Sequence, residues 1–349
     1  MIWRCIRSIL FLFDAESIHN FSSFFLKVHS RFIPKEKLLA HKKTKFSLAG
    51  FSLDSPLGLA AGFDKNATMI PALRSRGFGF VEIGSVTPRA QAGNPLPRLF
   101  RLPHSQALIN RMGFNSIGAA LVAARLTQLR AGGNLGFPVG VNLGKNRDTP
   151  LERAGEDYIV ALEKLYAVSD YLVVNLSSPN TPSLTDLQEA SFLQPLLSSV
   201  CEARDRMARS FGGEARPLFL KISPDLTPEA QIQALGIAMN AGFAGIIASN
   251  TSRRRDLPGI DRLDAAVLSQ EGGLSGKPLL KETLGNIPRL RTALGPKPCL
   301  IAVGGIFSRQ DGEALLDSGA SLLQAYTGFI YGGPRFPSQF LGLALEKGE

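Results

Sequence analysis

Short apolar runs alternate with longer amphipathic stretches from about residue 57 onward. Tyr171-Leu-Val-Val174 and Gly245-Ile-Ile-Ala248 are typical of parallel strands buried on both faces. The pattern predicts eight strands, at 57–61, 79–84, 138–142, 171–176, 218–222, 244–249, 299–303 and 321–325. It predicts helices near 66–76, 116–130, 151–167, 189–209, 228–241, 278–293, 309–318 and 334–346. Eight alternations indicate the α/β class and a closed TIM (β/α)8 barrel rather than an open sheet.

Two long insertions interrupt this alternation. They cover about 87–115 after the second strand and about 250–277 after the sixth. Both follow the carboxyl ends of strands, where such barrels keep their active sites. We therefore expect them to form lids or substrate walls, although purely decorative loops are the alternative.

The segment 1–45 differs in character from the rest of the chain. It holds nine Lys and Arg against three Asp and Glu, a net +6 of the total +10. Such a basic block is compatible with nucleic acid, an anionic membrane surface or a solvated arm. Because aromatic and aliphatic residues are interleaved at helical spacing, we favour a small helical membrane-associating extension, with an ordinary core-packing helix as the alternative. The predicted division is 1–45 for this extension and 46–349 for the catalytic barrel.

Several classes of protein are disfavoured by what the sequence lacks. No apolar run approaches the ~20 residues that a spanning helix needs. Cys5, Cys201 and Cys299 are an odd and widely spaced set, which indicates a reducing compartment. No His/Cys/Asp cluster has metal-ligand spacing, so we predict no metal site.

Polar residues lie at or just after the carboxyl end of every predicted strand, where a barrel would gather them at one rim. They comprise amides, hydroxyls, glycines and two lysines: Asp64, Lys65, Asn66, Gly84, Ser85, Asn142, Asn175, Asn180, Lys221, Ser249, Asn250, Thr251, Gly304, Gly305, Tyr326 and Thr327. A lone Asn after a strand is usually a turn former, but eight polar strand ends indicate a binding site. No strand end offers a His base or a carboxylate pair.

The glycines after strands seven and eight predict a phosphate site. Gly304-Gly305 and Tyr326-Thr327-Gly328 stand where β/α barrels bind phosphate through backbone N–H groups. With neither metal nor acid pair, the chemistry points to an organic cofactor. The lysines suit a flavin, whose reduced ring is anionic, or alternatively a Schiff base.

The sequence also resembles a known family through motifs in order and at matching spacing. They are GLAAGFDKN, NPLPRLFRLPHSQALINRMGFNS, VGVNLGKNRDTP, VVNLSSPNTP, LFLKISPDL, IIASNT, GGLSGKPL, IAVGGI and LLQAYTGFIYGGP. The chain is similar, over nearly its whole length, to quinone-dependent (class 2) dihydroorotate dehydrogenase. This resemblance implies oxidation of (S)-dihydroorotate to orotate in de novo pyrimidine biosynthesis, with FMN as cofactor and a membrane quinone as acceptor.

The resemblance also implies residue roles. The residues implied for FMN are Ala61, Gly62, Lys65, Ser85, Asn142, Asn175, Lys221, Ser249, Gly276, Gly305, Tyr326 and Thr327. Those implied for the substrate are Lys65, Asn110, Arg111, Met112, Gly113, Phe114, Asn175, Asn180, Asn250 and Thr251. Amide-rich recognition suits a ring of imides and a carboxylate, which needs donors and acceptors.

Ser178 matches the general base of the family, which takes the C5 proton while hydride leaves C6 for flavin N5. A free serine is a poor base, and we hypothesise a water-linked relay through Thr181 and a dry wall at Phe114. Soluble class 1 relatives have cysteine here, so Ser178 favours the quinone-linked class. A cap of two helices within 5–31 would then open a quinone tunnel past Arg101 and Tyr326.

The same resemblance implies a location and an assembly state. We expect a monomeric protein that is peripheral to the cell membrane on its cytoplasmic side, in contact with anionic lipid and without nucleic acid. Another FMN-dependent (β/α)8 oxidoreductase and a Schiff-base lyase remain the alternative functions.

Overall fold

Eight parallel strands close into a barrel in the computed structural model, which describes residues 2–30, 32, 46–133, 135–178 and 187–343. The barrel strands are β1 (Leu57–Leu59), β2 (Phe80–Val86), β3 (Val139–Leu143), β4 (Tyr171–Asn175), β5 (Leu218–Ile222), β6 (Gly245–Ala248), β7 (Cys299–Val303) and β8 (Leu322–Ala325). Each pairs in parallel with the next, and β8 pairs with β1. Every strand overlaps its predicted range, and the predicted fold class is confirmed.

Helices cover the outside of the barrel and precede it. The α-helices are α1 (Ile2–Leu10), α2 (Ala15–Ser30), α3 (Ile70–Ser75), α4 (Ala119–Ala131), α5 (Ala154–Leu165), α6 (Ala190–Phe211), α7 (Pro228–Asn240), α8 (Ala265–Leu268), α9 (Leu280–Leu294), α10 (Arg309–Asp317) and α11 (Thr327–Gly332). Local chemistry sets their starts: the Thr227 hydroxyl accepts the Ala230 N–H, and Ser308 forms a capping box with Asp311.

The helix predicted near 334–346 is wrong over its described part. The chain instead forms α11 directly after β8, and later a short 3₁₀ turn at Pro337–Phe340. Gly333 ends α11 with a φ of 76°, and Pro334 has no N–H to continue the helix. Residues 344–346 lie outside the described part of the chain.

The two insertions build a second, smaller sheet. Its antiparallel strands are Leu99–Leu102 and Ala107–Asn110 from the first insertion and Gly273–Gly276 from the second. The sheet has its own apolar cluster, which includes Leu257 and Leu279. The insertions are therefore ordered walls above the barrel rather than loose loops. A separate two-strand hairpin joins Ser47–Leu48 to Phe51–Ser52.

Aromatic rings fill one layer inside the barrel. Phe80, Tyr171 and Phe219 are fully buried, and the Tyr171 ring centroid lies 6.5 Å from that of Phe80 and 5.5 Å from that of Phe219. Glycines on neighbouring strands make room for these rings. A β-carbon on Gly140 would lie 2.0 Å from the Tyr171 ring, and one on Gly58 would lie 2.3 Å from Phe80. The pairing of a small residue with a large one therefore seals this end of the barrel.

The N-terminal helices rest on one side of the barrel. The Trp3 indole N–H and the Arg7 guanidinium both donate to the Tyr331 carbonyl, at 2.9 and 3.0 Å. The helices and the turn between them also leave large apolar side chains exposed: Ile2, Ile6, Ile9, Leu12, Phe13, Phe21, Phe24 and Phe25. None of the described helices is long and apolar enough to cross a membrane. The division at residue 45 adjoins residues 33–45, outside the described chain, and stays a prediction.

Gly140→Ala should lower the free energy of unfolding by about 2–3 kcal/mol, because the added methyl group overpacks the Tyr171 ring inside a closed barrel. Chemical denaturation monitored by circular dichroism checks this. Gly236→Ala is the control: it lies in α7 with no atom within 4 Å of the new carbon and should stabilise by about 0.5–1 kcal/mol. Equal stability of the Gly140 variant and the parent would contradict the packing argument.

Candidate active site

A cavity at the carboxyl ends of the strands collects most of the predicted site residues. The predicted residues that line it are Ala61, Gly62, Lys65, Ser85, Asn110, Met112, Gly113, Phe114, Asn175, Ser178, Lys221, Ser249, Asn250, Thr251, Gly276, Gly305, Tyr326 and Thr327. They come from seven of the barrel strands or the loops after them, together with the small sheet. The parallel arrangement brings these strand ends to one rim, as the sequence pattern predicts.

Three of the residues given a role by the resemblance do not line this cavity, nor do Asp64, Asn66 and Gly84 of the predicted polar rim, and a fourth residue with an implied role is not among those described. Asn142 of β3 is fully buried directly behind the cavity wall. The Arg111 guanidinium does not line the cavity: it donates to the Gln270 side chain at 3.0 Å. Arg101 lines a second cavity, under the N-terminal helices. Asn180, like the proposed relay residue Thr181, lies outside the described residues.

A network of amides and hydroxyls forms the floor of the cavity. The side-chain oxygen of Asn142 accepts hydrogen bonds from the Ser85 hydroxyl and from the side-chain amide of Asn175, the latter at 3.0 Å. The side-chain amide of Asn250 donates to the Ser177 hydroxyl at 2.9 Å and to the side-chain oxygen of Asn175 at 3.3 Å. These bonds fix the orientation of each amide, so that donors and acceptors face the cavity in a defined pattern. Ser177 was not among the predicted residues.

Beneath this floor lies a buried acid that the sequence analysis missed. The Glu82 carboxylate, fully buried within β2, accepts from the Asn142 amide at 2.7 Å and the Gln324 amide at 2.6 Å. The Lys221 ammonium lies 3.3 Å from the same carboxylate. Strands β2, β3, β5 and β8 are thereby joined. An acid inside an otherwise apolar strand, as in Phe80-Val-Glu-Ile83, was the available signal.

Lys65 lines another part of the cavity wall. Its ammonium donates to the side-chain oxygen of Asn115, another residue that sequence reasoning missed, at 2.5 Å. Burial, with a smaller contribution from the nearby Arg98 charge, lowers the pKa of Lys65 to about 7, and the Glu16 charge opposes the shift. Small changes in the surroundings of Lys65 can therefore change the fraction of this lysine that is protonated near neutral pH.

Glycines and hydroxyls form a third part of the wall. Gly276, Gly304 and Gly305 have φ angles of 113°, 132° and 80°, which side chains disfavour. A β-carbon on Gly305 would lie 2.3 Å from the Leu280 nitrogen, so only glycine fits. The Thr327 and Ser275 hydroxyls lie 2.8 Å apart at the same place. This cradle of backbone and hydroxyl groups has the chemistry that a phosphate group requires.

Ser178 lines the same cavity and is buried, at 7% exposure. Phe114 also lines this cavity and adopts a φ of 53°, unusual for a side-chain-bearing residue. The structure thus brings the predicted base, the predicted apolar wall and the amides into one cavity. Within the described residues, no group of three His, Cys, Asp or Glu side chains could hold a metal ion.

The second cavity, of about 430 Å³, lies between the N-terminal helices and the barrel. Leu99 and Leu108, which lie on the same face of the small sheet, line both cavities, so the two cavities adjoin along that face. The Arg101 guanidinium lies 4.6 Å from the Phe11 ring centroid and donates to the Phe13 carbonyl at 2.6 Å. The Tyr326 ring lines the first cavity.

His19 is a polar group in the wall of this second cavity. Its ring packs edge-on against Phe63, with centroids 4.9 Å apart. Burial, with a smaller contribution from the Lys65 charge, lowers the pKa of His19 to about 4. His19 is therefore neutral at ordinary pH, and the cavity stays largely apolar.

The closed barrel and its polar rim define an α/β-barrel enzyme. Residues 43–342 match the family model described as dihydroorotate dehydrogenase, and the chain belongs to this family. Relatives named dihydroorotate dehydrogenase (quinone) include that of Anaeromyxobacter dehalogenans strain 2CP-C, 43% identical over 96% of this chain and 90% of its own. That of Coxiella burnetii strain Dugway 5J108-111 is 42% identical over 100% and 99%.

Solved structures agree with the fold. The chain is similar to the crystal structure of DHODH from Eimeria tenella in complex with ferulenol, with a TM-score of 0.83 and 33% identity over 94% of this chain and 89% of that one. The ligand-free form from the same organism gives a TM-score of 0.78 at 33% identity, over 90% and 92%. The family suggested by the sequence motifs is therefore confirmed, and the names of the relatives support the quinone class.

Glu82→Gln should lower the free energy of unfolding by about 3 kcal/mol, because it leaves the buried Lys221 ammonium without a counter-charge. Urea denaturation measures this. Glu163→Gln is the matched control: its partner Arg206 lies 3.5 Å away and both side chains are about half exposed, so the change should stay below about 0.5 kcal/mol. Similar losses in both variants would refute the central role of Glu82.

Proposed function

We propose that this protein oxidises (S)-dihydroorotate to orotate with FMN as cofactor and passes the electrons to a membrane quinone, a step of de novo pyrimidine biosynthesis. The observation that carries this proposal is the convergence of Ser178, Lys65 and three asparagines on one cavity beside a glycine cradle. Family membership supports it independently.

The cavity walls fit FMN in their chemistry. The glycine cradle with Thr327 would hold the phosphate, and Lys221 with Ser85 and Asn175 would face the ring. Gly276 and Gly305 belong to this cradle, and the remaining proposed contacts are Ala61, Gly62, Lys65, Asn142, Ser249 and Tyr326. Asn142 would act from behind, by orienting Ser85 and Asn175. Bound FMN supplies the acceptor for the C6 hydride and the carrier of two electrons to quinone.

Substrate recognition falls to the amides and to Lys65. Dihydroorotate carries a carboxylate and imide groups, so it needs a cation together with both donors and acceptors. Asn110, Asn175, Asn250 and Thr251 line the cavity and would supply these, and Asn180 is proposed with them. Met112, Gly113 and Phe114 would exclude water above the ring. Arg111 would act by holding its loop, since its side chain contacts Gln270.

Ser178 is proposed to take the C5 proton on its Oγ atom. Its position in the cavity wall, near the apolar Phe114, keeps bulk water from competing for that proton. A serine needs a partner to carry the proton onward, and Thr181 with a bound water stays our hypothesis for that relay.

The second cavity is proposed to admit the quinone. It is lined mainly by apolar side chains of α1, α2 and the barrel, and it adjoins the first cavity at Leu99 and Leu108. Arg101 and Tyr326 are the proposed polar contacts of the tunnel. The exposed Phe and Ile side chains and the basic charge of the N-terminal segment support peripheral binding to an anionic membrane surface. We further propose the cytoplasmic face and a monomer.

Anaerobic flavin reduction tests the proposal. The purified protein should be yellow, and dihydroorotate should bleach its visible band, which a quinone should then restore. A colourless protein, or a flavin that does not respond, would count against the function.

The lowered pKa of Lys65 keeps a Schiff-base lyase as the competing function. Borohydride trapping of a carbonyl substrate would support that alternative.

Ser178→Ala should slow anaerobic flavin reduction by a factor of about 10²–10⁴, because the base is removed, while FMN stays bound at the parent stoichiometry. Stopped-flow absorbance and the ratio of flavin to protein measure the two effects. Ser338→Ala, at an exposed position in the 3₁₀ turn, is the control and should reduce its flavin normally. Near-normal reduction of the Ser178 variant would remove it from the mechanism.

A further inference from the structure

An ion pair connects α2 to the loop before the small sheet. The Arg98 guanidinium donates to the Glu16 carboxylate through Nε at 3.0 Å and through a terminal nitrogen at 2.7 Å. The two side chains are only 12% and 14% exposed. Because the pair is largely buried, its two hydrogen bonds compete less with water, and its geometry is better defined than that of a surface pair. Neither residue lines the first cavity.

Arg98 also organises the loop that it belongs to. Its remaining terminal nitrogen donates to the carbonyls of Ala92 and Asn94, at 2.7 and 2.9 Å. Asn94 in turn donates from its backbone to the Met112 carbonyl at 3.0 Å and from its amide to the Arg111 carbonyl at 2.9 Å. A continuous set of hydrogen bonds therefore runs from α2 to the segment 110–115 that walls the first cavity.

The approach of the two loops leaves little freedom. A β-carbon on Gly93 would lie 2.3 Å from the Met112 carbonyl oxygen, so the backbones are in direct contact. The Arg111 N–H donates to the Arg98 carbonyl at 2.9 Å, which adds a second link between the same loops. A displacement of Arg98 would consequently move Met112 and its neighbours as well.

The same pair acts on Lys65 through its charges. The Arg98 charge lowers the pKa of Lys65, whereas the Glu16 charge raises it. His19, also on α2, faces Lys65 but is neutral at ordinary pH because its own pKa is about 4. The two members of the ion pair therefore influence the lysine in opposite directions.

We infer that Glu16 and Arg98 are positioning residues for the substrate: their ion pair couples the docking of α2 to the geometry of the segment 110–115 and to the charge of Lys65. The N-terminal helices thus serve the substrate cavity as well as the cavity that they line. The inference rests on the proposed function only for the identity of the ligand. Neither Glu16 nor Arg98 is proposed to give or take a proton in the reaction.

Orotate binding to the flavin-loaded protein, measured by calorimetry between pH 6 and 9, tests the coupling. In the parent, affinity should decline above about pH 7 as Lys65 loses its proton. Glu16→Gln removes the charge that raises this pKa, so the decline should begin at lower pH. Arg98→Gln removes the charge that lowers it, so the decline should begin at higher pH. Both variants should bind orotate about tenfold more weakly at pH 6.

Two further variants separate charge from position. Arg98→Lys keeps the charge but not the forked geometry, so it should weaken binding while leaving the pH dependence of the parent. Glu156→Gln is the matched control: its ion pair with Arg153 is exposed, at 65% and 58%, and it should match the parent throughout.

The outcomes distinguish the failure of each proposal. A parent protein that neither binds orotate nor bleaches with dihydroorotate would refute the proposed function. A functional parent whose Glu16 and Arg98 variants bind normally would refute the coupling alone. If both variants bind orotate more weakly but the pH at which binding declines shifts in the same direction in both, or does not shift, the ion pair has only a structural role. That result would also overturn the proposed coupling.

Discussion

The buried Glu82 carboxylate is the interaction on which the arrangement of the site depends. A charge inside a closed barrel is tolerated only when it is paired and hydrogen-bonded, so β3, β5 and β8 must supply Asn142, Lys221 and Gln324 at matching heights. Asn142 can then offer only its oxygen to Ser85 and Asn175, which sets the direction of the amide network. One carboxylate thereby fixes the polarity of the cavity floor.

The layer of aromatic rings complements this polar layer. Phe80, Tyr171 and Phe219 form one buried layer of the barrel, and glycines on the neighbouring strands make room for their rings. Glu82 lies two residues after Phe80 on β2, on the same face of the strand and one layer higher. The low dielectric that the rings create strengthens the pairing of Glu82 with Lys221. The packing of the aromatic layer therefore supports the ion pair between Glu82 and Lys221.

Sequence reasoning recovered the barrel because buried parallel strands are continuous apolar runs, as at Tyr171–Asn175. It missed the small sheet, whose four-residue strands are too short for a periodic signal. It missed Glu82 because only residues at or beyond the carboxyl ends of the strands were considered for chemistry. The motif around Arg111 located the loop correctly but could not tell which way that side chain points. Side-chain direction and pairing across distant strands depend on the tertiary structure.

The position of Leu99 and Leu108 in both cavities explains how two unlike ligands can be served by one fold. Both cavities lie along one face of the small sheet, which meets the amides and lysines on one part and the aromatic and aliphatic side chains of α1 and α2 on another, while the opposite face packs in its own apolar cluster. A polar acid substrate and an apolar acceptor would otherwise compete for the same opening. Because Arg98 immediately precedes this wall and pairs with Glu16, the wall is anchored from the side of the N-terminal helices. Docking of those helices therefore shapes the wall that both cavities share.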